Sequence, residues 1–130
     1  MTRSDFLRYC RVFSTTRDKA AVFDRYYSPD AVFEHPLKGT FRGKAALVRF
    51  WTAGHRGIRE VIKPWNILIC ENRVAAEFLI EWHCEEDTNY LGPRRKGEVY
   101  RADCAAFYKL RRGRFAHVKL YLTVHDQPKH

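Results

Sequence analysis

The chain has 130 residues, the length of one domain that buries about two-thirds of its unfolded surface without disulfide or metal staples. Twenty-four Lys and Arg against 15 Asp and Glu give a formal charge of +9, and aromatic residues make up 15% of the sequence. No run of about 18 apolar residues occurs, which excludes a helical membrane span. The first residues, MTRSDFLRYCRVF, lack an apolar signal core, so a cytoplasmic protein is expected.

Helices come first. From Ser4 to about Thr16, Phe6, Tyr9, Cys10 and Phe13 recur at helical spacing, with Ser4 as the expected N-cap. Asp18 is placed to cap a second helix whose apolar face is Val22, Phe23, Tyr26 and Tyr27, stopped at Ser28-Pro29. An extended DAVFEHP segment follows, in which Ala31, Phe33 and His35 point the same way because side chains alternate along a strand. A histidine ending an apolar face is a candidate pocket residue; the alternative is a structural histidine at a strand end. A loop punctuated by Gly39 and Gly43 leads to a third helix carrying Ala46, Leu47, Phe50 and Trp51 on one side and closed by Gly54.

From Ile58 the period becomes two. IREVIKPWNILICE reads as a strand with a bulge or an edge position near Pro64. RVAAEFLIEWHCE alternates, with Val74, Ala76, Phe78, Ile80 and Trp82 on one face. After the polar loop EDTNYLGPRRKG come the strand EVYRADCAAFYKL, the turn RRGR and the strand FAHVKLYLTV. In the last strand the alternation sets Ala116, Val118, Leu120, Leu122 and Val124 against Phe115, His117, Lys119, Tyr121 and Thr123; the terminal DQPKH reads as frayed.

The clusters Arg94-Arg95-Lys96 and Arg111-Arg112-Gly113-Arg114 fall at turn signals. They read as solvated hairpin ends that discourage edge pairing, and without a recognition motif no nucleic-acid partner is expected. Cys10, Cys70, Cys84 and Cys104 are scattered through apolar patterns with no Cys-x-x-Cys pair. They read as reduced core thiols, and neither a metal nor a cofactor is expected.

Helices followed by antiparallel strands give an α+β fold, with helices packed on one face of a curved sheet and a cavity at the open end of the resulting cone. The opposite sheet face, with Glu77, Leu79, Glu81, His83, Lys119 and Tyr121, is too apolar for bulk solvent and too polar for a core. A homodimer through that outer face is the expectation. Phe33, Trp51, Phe78 and Trp82 are candidate pocket-wall residues, and Trp65 either rims the pocket or shapes the bulge. Glu81, His83 and His117 read as outer-face residues and His55 as a complement to the third helix's C-terminal dipole. His125 and His130 belong to a tail without context.

This order of elements, carried by YYSPDAVFEHPLKGTFRGKAALVRF and the closing GRFAHVKLYL, resembles the nuclear transport factor 2-like superfamily. Within it the chain is most similar to SnoaL-like polyketide cyclases and ketosteroid isomerase-like proteins, over roughly Phe6 to Val124. The resemblance implies a cone-shaped α+β barrel, antiparallel apart from its first short strand, commonly dimeric, around a hydrophobic pocket. It places Tyr9, of the Arg8-Tyr9 pair, where ketosteroid isomerases keep an oxyanion-holding tyrosine. It places His35, in Glu34-His35-Pro36, where they keep a base. Their third group, a protonated aspartate, corresponds to Ala105, with Asp103 two residues away. The implied function is binding of a small hydrophobic molecule and acid/base isomerase, cyclase or dehydratase chemistry with His35 as base and Tyr9 and Asp103 as donors. The alternative is a non-catalytic ligand-binding or dimeric assembly module of the same fold.

Overall fold

The computed structural model describes residues 1–125, so His130 and the segment from Asp126 lie outside the described residues. Helix α1 spans Arg3–Thr15 and buries Phe6, Tyr9, Cys10 and Phe13. Its cap is Thr2 rather than Ser4. The Asp5 amide donates to Thr2 Oγ1 at 3.1 Å, and the Thr2 amide donates to Asp5 Oδ2 at 2.8 Å. That reciprocal box needs an acceptor three residues after the cap, which Thr2 finds in Asp5 and Ser4 does not find in Leu7. Helix α2, Lys19–Tyr26, is capped by Asp18 as expected.

Strand β1, Tyr27–His35, starts directly from the end of α2, with Ala31, Phe33 and His35 all buried. The expected glycine loop is a strand: β2, Gly39–Arg42, folds back antiparallel on β1 and sets Phe41 opposite Phe33 and Gly39 opposite His35. Gly39 and Gly43, with φ of 94° and 87°, bracket this strand, while Thr40 and Phe41 between them favour extended backbone. Helix α3, Lys44–Gly54, then packs Leu47 and Trp51 inward.

The remaining strands are β3 (Ile58–Cys70), β4 (Arg73–Cys84), the short pair β5 (Thr88–Asn89) and β6 (Pro93–Arg94), β7 (Val99–Arg111) and β8 (Arg114–Val124). Six of the eight strands among the described residues form one sheet in the order β2-β1-β8-β7-β4-β3, parallel only between β1 and β8. The sheet is therefore mixed and not closed, with β2 and β3 as its edges, and the three helices cover its inner face in a cone-like α+β fold.

Two bulges set which side chains face inward. On β3 the register slips between Pro64 and Asn66, which leaves Trp65 out of the ladder and 64% exposed. On β8 the slip opposite Lys109 and Leu110 leaves Ala116 as the extra residue. Phe115 is consequently fully buried, contrary to simple alternation, and Val118, Leu120 and Leu122 continue the inner face. Cys10, Cys84 and Cys104 are buried free thiols, whereas Cys70, at the end of the edge strand β3, is exposed.

Candidate functional site

The inner face of the sheet and helices α1 and α3 line a cavity of about 40 Å³. Its wall is mostly aromatic and aliphatic, and includes Tyr9, Phe33, Trp51, Phe78 and Trp82. Besides the phenols of Tyr9, Tyr27 and Tyr108, it is lined by three polar side chains from separate elements: His35 at the end of β1, Glu60 on β3, and Tyr90 in the loop between β5 and β6.

His35 is held by its own turn. Nδ1 accepts from the Leu37 and Lys38 amides, both at 3.1 Å, as an Asx side chain would in a tight turn. Those two donors assign the lone pair to Nδ1 and the proton to Nε2, which lies 3.1 Å from the Tyr90 hydroxyl. Burial, with the nearby His55 second, pushes the imidazole down to about 4, so it is neutral at physiological pH. With Nδ1 committed to backbone donors and Nε2 protonated, His35 has no free lone pair for a cavity ligand.

Glu60 is a carboxylate buried among indoles. Trp82 Nε1 donates to Oε1 at 2.8 Å and Trp51 Nε1 donates to Oε2 at 3.0 Å. His55, at the C-cap of α3, stacks parallel on Trp51 and brings Nε2 to 3.5 Å from Glu60 Oε1, the outer limit of a hydrogen bond. Burial works to raise the Glu60 carboxyl; the charge and contact of His55 and the two indole donors outweigh it and hold the group below the usual range. The site thus contains an ionised carboxylate in apolar surroundings. Tyr9 contributes a second polar pair, its hydroxyl 2.6 Å from that of Tyr27, with both phenols pushed upward chiefly by burial.

Two expected site residues lie elsewhere. Asp103 sits on the outer face of β7, opposite Leu79 and Thr123, and its carboxylate meets His125 Nε2 at 2.6 Å. The inward positions of β7 are Ala102, Cys104 and Ala106, so no shift by two residues brings an acid into the cone. Ala105 shares the outer face. Trp65 is the bulged residue and faces away from the cavity. Glu81 and His83 are on the outer face as expected, where Arg101, His83 and Lys63 surround Glu81 and push it down to about 2. His117 is also outside, at 2.6 Å from Glu34.

Glu60 and Tyr90 were not among the residues singled out from the sequence. The signal for Glu60 is its place between Ile58 and Ile62 on one face of an alternating strand, where a carboxylate should not stand without a reason. Tyr90 carries a weaker one, a large aromatic in an otherwise polar loop.

A SnoaL-like domain model matches residues 6–118. No curated protein matches the chain. Among solved structures, a candidate polyketide cyclase from Pseudomonas putida KT2440 is 24% identical with a TM-score of 0.78, over 97% of this chain and 95% of that one. A candidate SnoaL-like polyketide cyclase from Jannaschia sp. CCS1 is 12% identical with a TM-score of 0.75, over 92% and 83% of the two chains. A protein of ketosteroid isomerase-like fold from Catenulispora acidiphila DSM 44928, solved in complex with trimethylamine, is 10% identical with a TM-score of 0.72, over 93% and 86%. The chain belongs to the SnoaL-like domain family.

Proposed function

We propose that this SnoaL-like domain binds a small, largely hydrophobic molecule in its cone and carries out acid/base chemistry of the isomerase, cyclase or dehydratase kind upon it. The observation that supports this is the convergence of Glu60, Tyr90 and His35, from separate elements, on one aromatic-lined cavity. Glu60 is the proton acceptor in this reading, because its carboxylate is ionised and has more acceptor sites than its two indole donors fill. The Tyr90 hydroxyl, backed by His35 Nε2–H, is the donor toward a developing oxyanion, and His35 is a positioning residue rather than the base. Tyr9, tied to Tyr27, offers a second donor. A volume of about 40 Å³ admits a compact ligand and not a polyketide-sized ring system. Trimethylamine, the molecule held by the Catenulispora acidiphila protein, belongs to that size class.

The test is proton abstraction beside a carbonyl. Acetone in D₂O, followed by NMR, reports exchange of its methyl protons with wild-type protein, Glu60→Gln and Tyr90→Phe. Exchange above the buffer rate that disappears in Glu60→Gln and falls at least tenfold in Tyr90→Phe supports the reading. Exchange unaffected by Glu60→Gln removes the carboxylate from it.

A second reading, a dimeric assembly module, is favoured by the outer sheet face. Leu68, Phe107 and Tyr121 are exposed there at 65%, 57% and 47%, and the Phe107 and Tyr121 rings meet edge to face at 6.2 Å. The two readings are compatible, since one uses the inner face and the other the outer.

A further inference from the structure

Glu60 is the one acidic or basic side chain, histidine aside, that lines the cone cavity among the described residues. An ionised carboxylate in a low-dielectric site is costly unless hydrogen bonds or a cation answer it. Trp82 occupies one acceptor site on Oε1 and Trp51 one on Oε2, and the long His55 contact is again to Oε1. Oε2 therefore keeps an acceptor site that no described group fills. His35 adds no compensating charge, because its imidazole is neutral; the charge of His55, which helps hold Glu60 ionised, answers it on the Oε1 side and leaves the second site on Oε2 open.

The rest of the wall suits a cation better than an anion. The rings of Tyr9, Tyr27, Phe33, Trp51, Trp82 and Tyr90 border the same space, and aromatic faces attract cations through their quadrupoles. A carboxylate or phosphate ligand would meet Glu60 as a like charge with little water to screen it. Size narrows the class further, since about 40 Å³ is room for roughly three water-sized groups.

We propose that the cone cavity is a binding site for a compact alkylammonium ion, its N–H directed at Glu60 and its methyl groups packed on the surrounding rings. This assignment rests on the reading of the cone as a ligand site and names a cationic ligand that would compete for Glu60 with the molecule whose proton it takes. The ammonium loses its hydration on entry, and the ionic hydrogen bond to Glu60 with the ring contacts offsets that loss.

The Trp51 and Trp82 indole N–H groups are built-in reporters, because both donate to Glu60. Their ¹⁵N–¹H resonances are followed while wild-type protein is titrated with isopropylammonium chloride and, separately, with 2-propanol, which has the same carbon skeleton and no charge. The expected result is a saturable shift with at least tenfold tighter binding of the ammonium, and sodium chloride at equal concentration giving none. In Glu60→Gln that preference should vanish; if this variant does not fold, the wild-type comparison alone decides. Equal affinity for the alcohol, a preference that survives in Glu60→Gln, or the same shifts with sodium chloride overturns the ammonium assignment. Saturable binding of the alcohol would leave the cone a ligand site, whereas indole resonances that neither organic titrant moves overturn both readings.

Discussion

Trp82 Nε1 donates to Glu60 Oε1 at 2.8 Å, joining strand β4 to its neighbour, the edge strand β3, through a buried carboxylate. Trp51 makes the matching bond from α3, so one side chain holds a helix and two strands. Removing it strands two indole donors in apolar surroundings, each costing about 1–3 kcal/mol. Glu60→Ala should therefore lose on the order of 3 kcal/mol in denaturant unfolding, after the desolvation that Glu60 itself no longer undergoes. Glu60→Gln keeps one acceptor oxygen for two donors and should lose less. An Ala variant within about 0.5 kcal/mol of wild type would show that the network adds nothing to stability.

His35 offers a separation of turn from site. Its Nδ1 replaces the side-chain oxygen of an Asx turn, and an Asn oxygen can take the same Leu37 and Lys38 amides. His35→Asn should stay within about 1 kcal/mol of wild type and lose the contact to Tyr90, while His35→Ala loses turn and contact together at a cost of about 2–3 kcal/mol. Thermal unfolding of the pair measures this. Equal melting temperatures for Asn and Ala would mean that the turn bonds do not matter.

The depressed His35 pKa gives a pH signature with a definite sign. The native imidazole protonates near 4, while the unfolded chain protonates near 6.5. Above 6.5 both states are neutral there and the full stability is present. As pH falls from 6.5 toward 4 the unfolded state takes up a proton that the native state refuses, so stability declines by up to about 1.4 kcal/mol per pH unit. Urea midpoints at pH 7.5, 6.0 and 5.0 should fall less steeply for His35→Asn than for wild type. Parallel lines would place the titrating group elsewhere.

Much of this fold is legible from alternation. Ala31, Phe33 and His35 face inward as their spacing requires, and β4 keeps its parity from Val74 to Trp82 because no bulge interrupts it. Parity failed on β8, where the extra residue Ala116 resets the count and buries Phe115; unlike the β3 bulge, which Pro64 marks, this one has no proline or glycine in the strand to signal it. The site was half legible. Tyr9, Phe33, Trp51, Phe78, Trp82 and His35 reach the cavity, yet the chemistry of His35 depends on which lone pair the turn takes, which only geometry reveals. Asp103 enters through the resemblance alone, two residues from the matched Ala105, and the pairing of β7 puts both on the outside.

The outer face gives the last prediction. Register sets Leu68, Ala75, Phe107 and Lys119 in one row across β3, β4, β7 and β8, with Asn66, Glu77, Ala105 and Tyr121 in the next. In a two-fold dimer every residue of this patch is used twice, so one charge introduced at its apolar centre acts at two places. Phe107→Glu and Tyr121→Glu should each convert a dimer to a monomer in light scattering at micromolar concentration. Their melting temperatures at high dilution should stay close to wild type, because both side chains are exposed within the protomer. A wild-type monomer at micromolar concentration would instead leave the exposed Phe107 and Tyr121 to some other partner and sink the dimer.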